Sequence, residues 1–351
     1  MTILHVITGL SGGGAEHMVL ELASQSNNTA DKTVVVSVSE RKQILHKFEE
    51  KGIECHFLNI TSIKSLFLGL KYLKQIHKTH KDTVFHCHMF HGFAIGFLYK
   101  LFFRNVPIVF TLHTNSVKQL YRKLFFWTTK IFRKKDIIFS NNSRKWYLKN
   151  STVIPNGVDL DKFKRNTKLL KEDTNKPFVF LFLGRLTEPK NPLFLVDLIQ
   201  RLKAQNYVDF IINVVGDGGL RENLETAIEQ NGVTANIKLF GFQKNVSGFL
   251  KEANCLIIPS LWEGMPVSII EAGASKLPVV STPVGSIPDF LNNDNAYVSE
   301  LDNFHTAMIS VLKDYKLALQ KGENLFELVK SKYDIKKIYK LHIDLYQSTL
   351  K

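Results

Sequence analysis

Cys255-Leu256-Ile257-Ile258-Pro259-Ser260-Leu261-Trp262-Glu263-Gly264-Met265-Pro266-Val267-Ser268-Ile269-Ile270-Glu271-Ala272 passes from an apolar run through a short loop into a helical pattern. A brief run of apolar residues closed by Pro and Ser predicts a strand buried on both faces. Pro266 suits the first turn of the helix that follows. The outward amides of that turn, about Met265 to Ser268, attract a phosphate or the hydroxyls of a sugar. Glu263 on the approach loop and Glu271 within the helix set two carboxylates about one helix terminus. The neighbours Ile270 and Ala272 predict partial burial of Glu271, where an unpaired carboxylate is costly.

Working outward, the same strand signal recurs at 3–8, 33–38, 55–58, 83–88, 108–113 and 137–140, and again at 178–183, 210–216, 237–240 and 278–281. Helical patterns at 15–26, 62–80 and 92–103 lie between strands of the first set. Strands alternating with helices of this length give parallel sheets wound on both faces. The fold class is therefore α/β, with two Rossmann-like doubly wound domains facing each other across a cleft. Pro155 and Asn156-Gly157 punctuate the junction. The expected division is 1–155 with the terminal helix 333–351 crossing back onto it, and 156–332.

The chain has 351 residues, with 46 Lys or Arg against 32 Asp or Glu, a formal charge of +14. Residues 1–160 hold 22 basic and 10 acidic side chains, so nearly the whole excess lies in the first half. It concentrates at 97–149, where 12 basic residues meet the single acid Asp136 among many aromatics, including Tyr99, Phe102, Tyr121, Trp127, Trp146 and Tyr147. This composition suits an anionic membrane surface or a nucleic acid, or a solvated helix face whose aromatics serve the core. Membrane contact ranks ahead of nucleic acid because no nucleic-acid motif accompanies the charge. No apolar run approaches the ~18 residues of a membrane span. The opening segment has no basic region of a secretory leader. Cys55, Cys87 and Cys255 are few and scattered, which fits a reducing compartment.

Three other segments carry chemistry. Gly9-Leu10-Ser11-Gly12-Gly13-Gly14-Ala15-Glu16-His17 is a glycine loop between strand and helix that matches neither a dinucleotide fingerprint nor a Walker A loop. It reads equally as a phosphate-facing loop or a tight turn. In Gly184-Arg185-Leu186-Thr187-Glu188-Pro189-Lys190-Asn191, Arg185 and Lys190 can both reach a diphosphate, one as a fork and one as a point charge. The alternative is surface charge on an exposed loop. In His86-Cys87-His88, alternate residues share a face, so His86 and His88 together suggest a metal. No second cluster completes the ligand set, and a strand end with His88 near an acceptor is preferred. Asp159-Leu160-Asp161 sits at the junction and is taken as chance.

The spacing Glu263-x7-Glu271, with Gly264-x-Pro266 between, joins Gly13-Gly14-x-Glu16, Asn156-Gly157-Val158-Asp159, Gly184-Arg185-Leu186 through Lys190, and Val215-Gly216-Asp217-Gly218. In this order they resemble glycosyltransferase family 4, retaining enzymes of GT-B architecture that use nucleotide sugars. The resemblance implies that Arg185 and Lys190 clamp the donor diphosphate, Glu271 binds ribose hydroxyls, and Glu263 contacts the transferred sugar beside Gly264, Met265, Pro266 and Val267. It further implies that Gly13 and Gly14 approach the donor phosphates, Gly241 and Phe242 the nucleobase, and His113 the donor sugar near the reacting centre. Glu16, His17 and His88 fall on the acceptor side. No metal or other cofactor is implied. The expected partners are a nucleotide diphosphate sugar, with UDP favoured, a lipid-linked saccharide acceptor and the anionic inner face of the cytoplasmic membrane. The setting is bacterial capsule or O-antigen synthesis. Two competing readings are a GT-B-type UDP-GlcNAc epimerase and a non-enzymatic nucleic-acid-binding protein.

Overall fold

The structure, a computed structural model, describes residues 1–351 except 28, 104–105, 114–118, 140–150, 166–175, 264–266 and 351. The chain forms two compact units, Met1–Gly157 with Ile335–Lys351, and Val158–Asp334. The divisions fall two residues beyond the expected 155 and 332. There the two chain crossings are tied together: Val158 N–H donates to the Tyr333 carbonyl at 2.8 Å, and Val158 bridges Asp334.

The first unit holds strands β1 (Thr2–Ile7), β2 (Lys32–Ser37), β3 (Glu54–Phe57), β4 (Thr83–His88), β5 (Ile108–Thr111), β6 (Lys135–Ile138) and β7 (Ser151–Val153). Its helices are α1 (Gly14–Ser26), α2 (Leu45–Glu49), α3 (Ile63–Lys78), α4 (Met89–Phe102) and α5 (Leu120–Thr128). The second unit holds β8 (Phe178–Leu183), β9 (Phe210–Val215), β10 (Ile237–Gly241), β11 (Cys255–Ile258), β12 (Val279–Ser281) and β13 (Tyr297–Val298). Its helices are α6 (Leu160–Phe163), α7 (Phe194–Ala204), α8 (Arg221–Gln230), α9 (Ser247–Glu252), α10 (Val267–Ala274), α11 (Phe304–Lys313) and α12 (Tyr315–Lys332). The terminal helix α13 (Ile335–Leu350) returns to the first unit.

Both sheets are parallel, in the orders β3-β2-β1-β4-β5-β6-β7 and β10-β9-β8-β11-β12-β13. Strand residues alternate between two apolar layers, as a pleated strand buried on both faces must. From β1, Leu4 and Val6 pack toward α3, α4 and α5, while Ile3 packs toward α1 and α13. From β8, Phe180 and Phe182 meet α7 and α11, and Leu181 meets α10 and α12. Each such side chain stabilises by roughly 1.5–3 kcal/mol. In each sheet the winding direction reverses once, between β1 and β4 and between β8 and β11. Ligands of doubly wound sheets bind beyond the strand carboxyl ends at this place.

The short edge strands β7 and β13 were not expected, since two or three residues leave no periodicity to read. Helix α4 starts at Met89 rather than at 92, because a positive φ at Met89 turns the chain into the helix directly after His88. Among the described residues no helix is long and apolar enough to cross a membrane.

Candidate functional site

The second unit gathers its chemistry at the β8/β11 switch point. Lys190, on the loop after β8, places Nζ 2.6 and 2.7 Å from the two carboxylate oxygens of Glu263, on the loop after β11. Glu263 is 4% exposed, and Ser260 Oγ donates to its Oε1 at 2.7 Å. The loops are laced by backbone: Leu261 N–H donates to the Pro189 carbonyl at 2.9 Å, and Asn191 Nδ2 donates to the Pro259 carbonyl. The sequence reading gave Lys190 and Glu263 separate partners; the structure joins them to each other. Arg185 is exposed and makes no ion pair with another described residue.

Two glycines set this geometry. Gly285 has φ +63, and a Cβ there would overlap the Glu263 carbonyl. Gly216 has φ +144, and a Cβ would overlap the Gly184 carbonyl. Val215-Gly216-Asp217-Gly218 therefore lets the loop after β9 lie flat against the Arg185–Lys190 loop. Gly184 N–H donates to the Val215 carbonyl and Gly216 N–H to the Gly241 carbonyl, tying three strand ends together. Gly241 closes β10, and Phe242 beyond it is 66% exposed, free to cover a flat ring. Val267 opens α10 and Glu271 is half-buried in it. Gly264, Met265 and Pro266 lie outside the described residues.

The first unit places different chemistry at β1/β4. Gly13 caps the N-terminus of α1, and a Cβ on Gly14 would meet nothing within 4 Å. Glu16 does not face outward as an acceptor-side residue would: it is buried, its Oε2 folded back over Gly13, where the helix dipole favours a carboxylate. His17 is half-buried, its Nδ1 donating to the Gly13 carbonyl at 3.1 Å.

His86 and His88 share a face as expected, with ring centroids 4.0 Å apart. His5 joins them, paired in register with His86 across β1 and β4. A histidine in an otherwise apolar buried strand was the available signal, since such a polar group needs a partner. Nitrogens of the three rings lie within 4.8 Å of one another, yet they are engaged in hydrogen bonds. His5 Nδ1 pairs with His88 Nε2 at 2.8 Å, and His88 Nδ1 pairs with His113 Nε2 at 2.8 Å. His86 is held by Tyr346 of α13 at 2.7 Å and by Thr111 at 2.8 Å. His88 is fully buried with both nitrogens taken, so it has no edge left for an acceptor, which corrects the sequence reading. Burial pushes the His5 and His113 rings down to about 3 and His342 down to about 4. Burial also holds His86 and His88 well below the usual imidazole range.

The basic aromatic stretch divides. Tyr99 is buried, and Phe125 and Phe126 pack on the core, whereas Phe102, Tyr121 and Trp127 are at least 60% exposed. Trp146 and Tyr147 lie outside the described residues. Asp159 caps α6 by accepting from Asp161 N–H, an ordinary structural role.

Comparison with known proteins agrees across the chain. The family "Glycosyltransferase Family 4" matches residues 12–162, and "Glycosyl transferases group 1" matches 164–327. An uncharacterised glycosyltransferase of Methanocaldococcus jannaschii is 37% identical over 52% of this chain, which spans 47% of that protein. An Escherichia coli UDP-Gal:alpha-D-GlcNAc-diphosphoundecaprenol alpha-1,3-galactosyltransferase is 28% identical over 80% of this chain and 81% of its own. The Staphylococcus aureus capsular polysaccharide biosynthesis glycosyltransferase CapH is 25% identical over 96% of this chain and 98% of its own. In fold, the chain superposes on Anabaena HepE, solved in complex with UDP, with a TM-score of 0.84 at 17% identity, covering 99% of this chain and 100% of that one. With two GT-B-type sheets and both family halves matched in order, the chain belongs to glycosyltransferase family 4.

Proposed function

We propose that this glycosyltransferase moves a hexose or N-acetylhexosamine from a UDP-sugar to a hydroxyl of a lipid-linked saccharide in bacterial surface polysaccharide synthesis, capsule or O-antigen. Transfer retains the anomeric configuration and uses no metal cofactor. The observation that carries the reading is the Lys190–Glu263 pair at the β8/β11 switch point, with exposed Arg185 on the same loop as Lys190. A diphosphate arriving there meets an ammonium already aimed by a buried carboxylate, and a guanidinium fork beside it. As the glycosidic bond breaks, these cations neutralise charge growing on the leaving nucleotide. Glu263 then faces the transferred sugar, Glu271 the ribose, and Gly241 with Phe242 the base. Gly13, Gly14 and His113 serve the donor from the first unit. The names of the Escherichia coli and Staphylococcus aureus relatives support a UDP-sugar, a lipid-linked acceptor and a capsular setting.

The first unit docks on the anionic inner face of the cytoplasmic membrane. Of its two helical layers, α3, α4 and α5 expose Ile63, Phe67, Phe102, Leu124 and Trp127, interspersed in sequence with Lys64, Lys71, Arg122, Lys123 and Lys130. The opposite layer of α1, α2 and α13 exposes large apolar side chains only at Leu341 and Leu350 among the described residues. Apolar anchors among cations on one face suit anionic lipid.

Thermal melts with UDP- and GDP-sugars test the donor, since a ligand at 100 times its Kd adds about 2.7 kcal/mol. Stabilisation by UDP-sugars and labelled transfer to a polyprenyl-diphosphate saccharide, undiminished by EDTA, are expected. An epimerised sugar formed from donor alone would overturn the reading. In vesicle flotation, binding should rise with anionic lipid and fall with salt; indifference to both would remove the membrane assignment.

A further inference from the structure

The β1/β4 switch point holds a line of three imidazoles, of which the transfer reading uses only His113. His5 Nδ1 meets His88 Nε2, and His88 Nδ1 meets His113 Nε2, each at 2.8 Å. A neutral imidazole carries one N–H and one bare nitrogen. Three neutral rings therefore satisfy both bonds in only two ways: every proton on Nδ1, or every proton on Nε2. Any other distribution sets N–H against N–H or lone pair against lone pair. A protonated His88 would donate both ways and require the His5 proton on Nε2, a state that burial of the charge disfavours.

The neighbours brace this arrangement from the side. His86, spanned between Thr111 and Tyr346, stacks against His88, and His5 stacks on His88 with centroids 5.1 Å apart. His113 sits at φ +62, a backbone conformation uncommon for a side-chain-bearing residue. Such a conformation persists where its surroundings enforce it, typically at functional sites. A small cavity beside the line is bordered by His113, His342 and Asn156. The Asn156 Oδ1 is buried and lacks a donor among the described residues. An acceptor without a donor at that end favours the all-Nδ1–H state, in which His113 carries an outward proton on Nδ1.

We infer that His5 and His88 are positioning residues for His113, locking its ring orientation and its Nδ1–H tautomer through one cooperative N–H···N chain. His113 then presents a fixed hydrogen-bond donor, with Nε2 tied behind it. Nitrogens of a different set, His5, His86 and His88, also lie close enough together to hold a metal ion. The hydrogen bonds favour the chain, since His88 has already given both nitrogens to other rings and His86 both of its own to hydroxyls.

The bearing on transfer rests on the placement of His113 proposed above, so the decisive measurement is independent of activity. In protein labelled with 15N-histidine, couplings across both N–H···N bonds are expected, with His113 in the Nδ1–H form at neutral pH. No such coupling, His113 in the Nε2–H form, or one zinc per chain in the purified protein would overturn the inference. Two substitutions of one ring then separate positioning from packing. In His88→Asn the amide falls near the former Nδ1 and can still donate to His113. In His88→Gln it falls near the former Nε2 and reaches only His5. Misplacing a group by about an ångström costs on the order of a hundredfold in rate. His88→Gln should lose about that much in kcat with donor KM little changed, while His88→Asn keeps most of it and the His113 tautomer signal. Equal losses in both variants would assign His88 to packing alone.

Discussion

The two sheets reverse their winding at equivalent places and fill those places with opposite electrostatics. At β1/β4 the first unit holds histidines linked by shared protons, every ring shifted by burial toward its uncharged form. At β8/β11 the second unit holds a full ammonium–carboxylate pair, with the carboxylate the more deeply buried partner. Yet the first unit, with 26 basic side chains against 10 acidic, carries more than the whole +14 excess. Much of its charge lies on outer helices, and apart from Glu16 and the buried Arg133–Asp136 pair away from the switch point, its interior is lined by the neutral histidines. The second unit, close to charge balance, concentrates a cation and an anion where a diphosphate would arrive. Net charge thus reports what a surface meets, and the buried pair reports what the fold can polarise.

Acid should break this comparison most strongly. An unfolded histidine titrates near 6.5, whereas folded His5 and His113 sit at about 3 and His342 at about 4. Because the folded values are lower, the unfolded chain binds more protons between these limits. Stability is therefore intact above pH 6.5 and falls as pH drops toward the folded values. Each ring contributes up to about 1.4 kcal/mol per pH unit, so the first unit should lose several kcal/mol between pH 6.5 and 5. Hydrogen exchange, corrected for intrinsic rate, should accelerate in β1 and β4 and change far less in β8 and β11. Equal acceleration in both sheets would dissolve the contrast.

The next effect belongs to the pair. Lys190→Met should lower kcat/KM by on the order of 10³, the scale for removing a preorganised charge. It should also cost about 2 kcal/mol of stability, because Glu263 would remain buried with, among the described residues, Ser260 as its remaining donor. Discounting for the part-exposed lysine keeps that figure below the full value for a deeply buried pair. Adding Glu263→Gln should restore part of the stability and none of the activity. Strictly additive urea midpoints would show that the two side chains do not depend on each other.

How far these features were legible depends on sequence distance. Ile3, Val34, Phe85 and Phe180 lie in apolar runs whose local pattern fixes strand and burial, so the two sheets could be read without structure. Glu263 and Glu271 share one strand–loop–helix unit, and their common neighbourhood follows from spacing. The Lys190–Glu263 contact joins residues 73 apart, and the His5–His88 contact residues 83 apart. Both depend on which strands become neighbours, and periodicity gives strand existence but not strand order. The burial of Glu16 was hidden for another reason: an acid beside a glycine loop looks available, but in the first turn of α1 its carboxylate lies over Gly13, where the helix dipole favours it.

The smallest effect compares the glycines of the two switch points. Gly216 is required by the fold, since its φ of +144 and the overlap of any Cβ with the Gly184 carbonyl leave an alanine no place. Gly216→Ala should cost about 3 kcal/mol and displace the loop bearing Arg185 and Lys190. Gly14 is open on all sides within 4 Å and begins α1. An alanine there fits the helix and loses less backbone entropy on folding, so Gly14→Ala should raise stability by about 0.5 kcal/mol. If the space over Gly14 is kept for donor phosphate, the same variant should weaken UDP-sugar stabilisation in thermal melts while itself melting higher. A variant that melts higher and binds donor undiminished would make the glycine loop a turn alone, leaving phosphate recognition to the second unit.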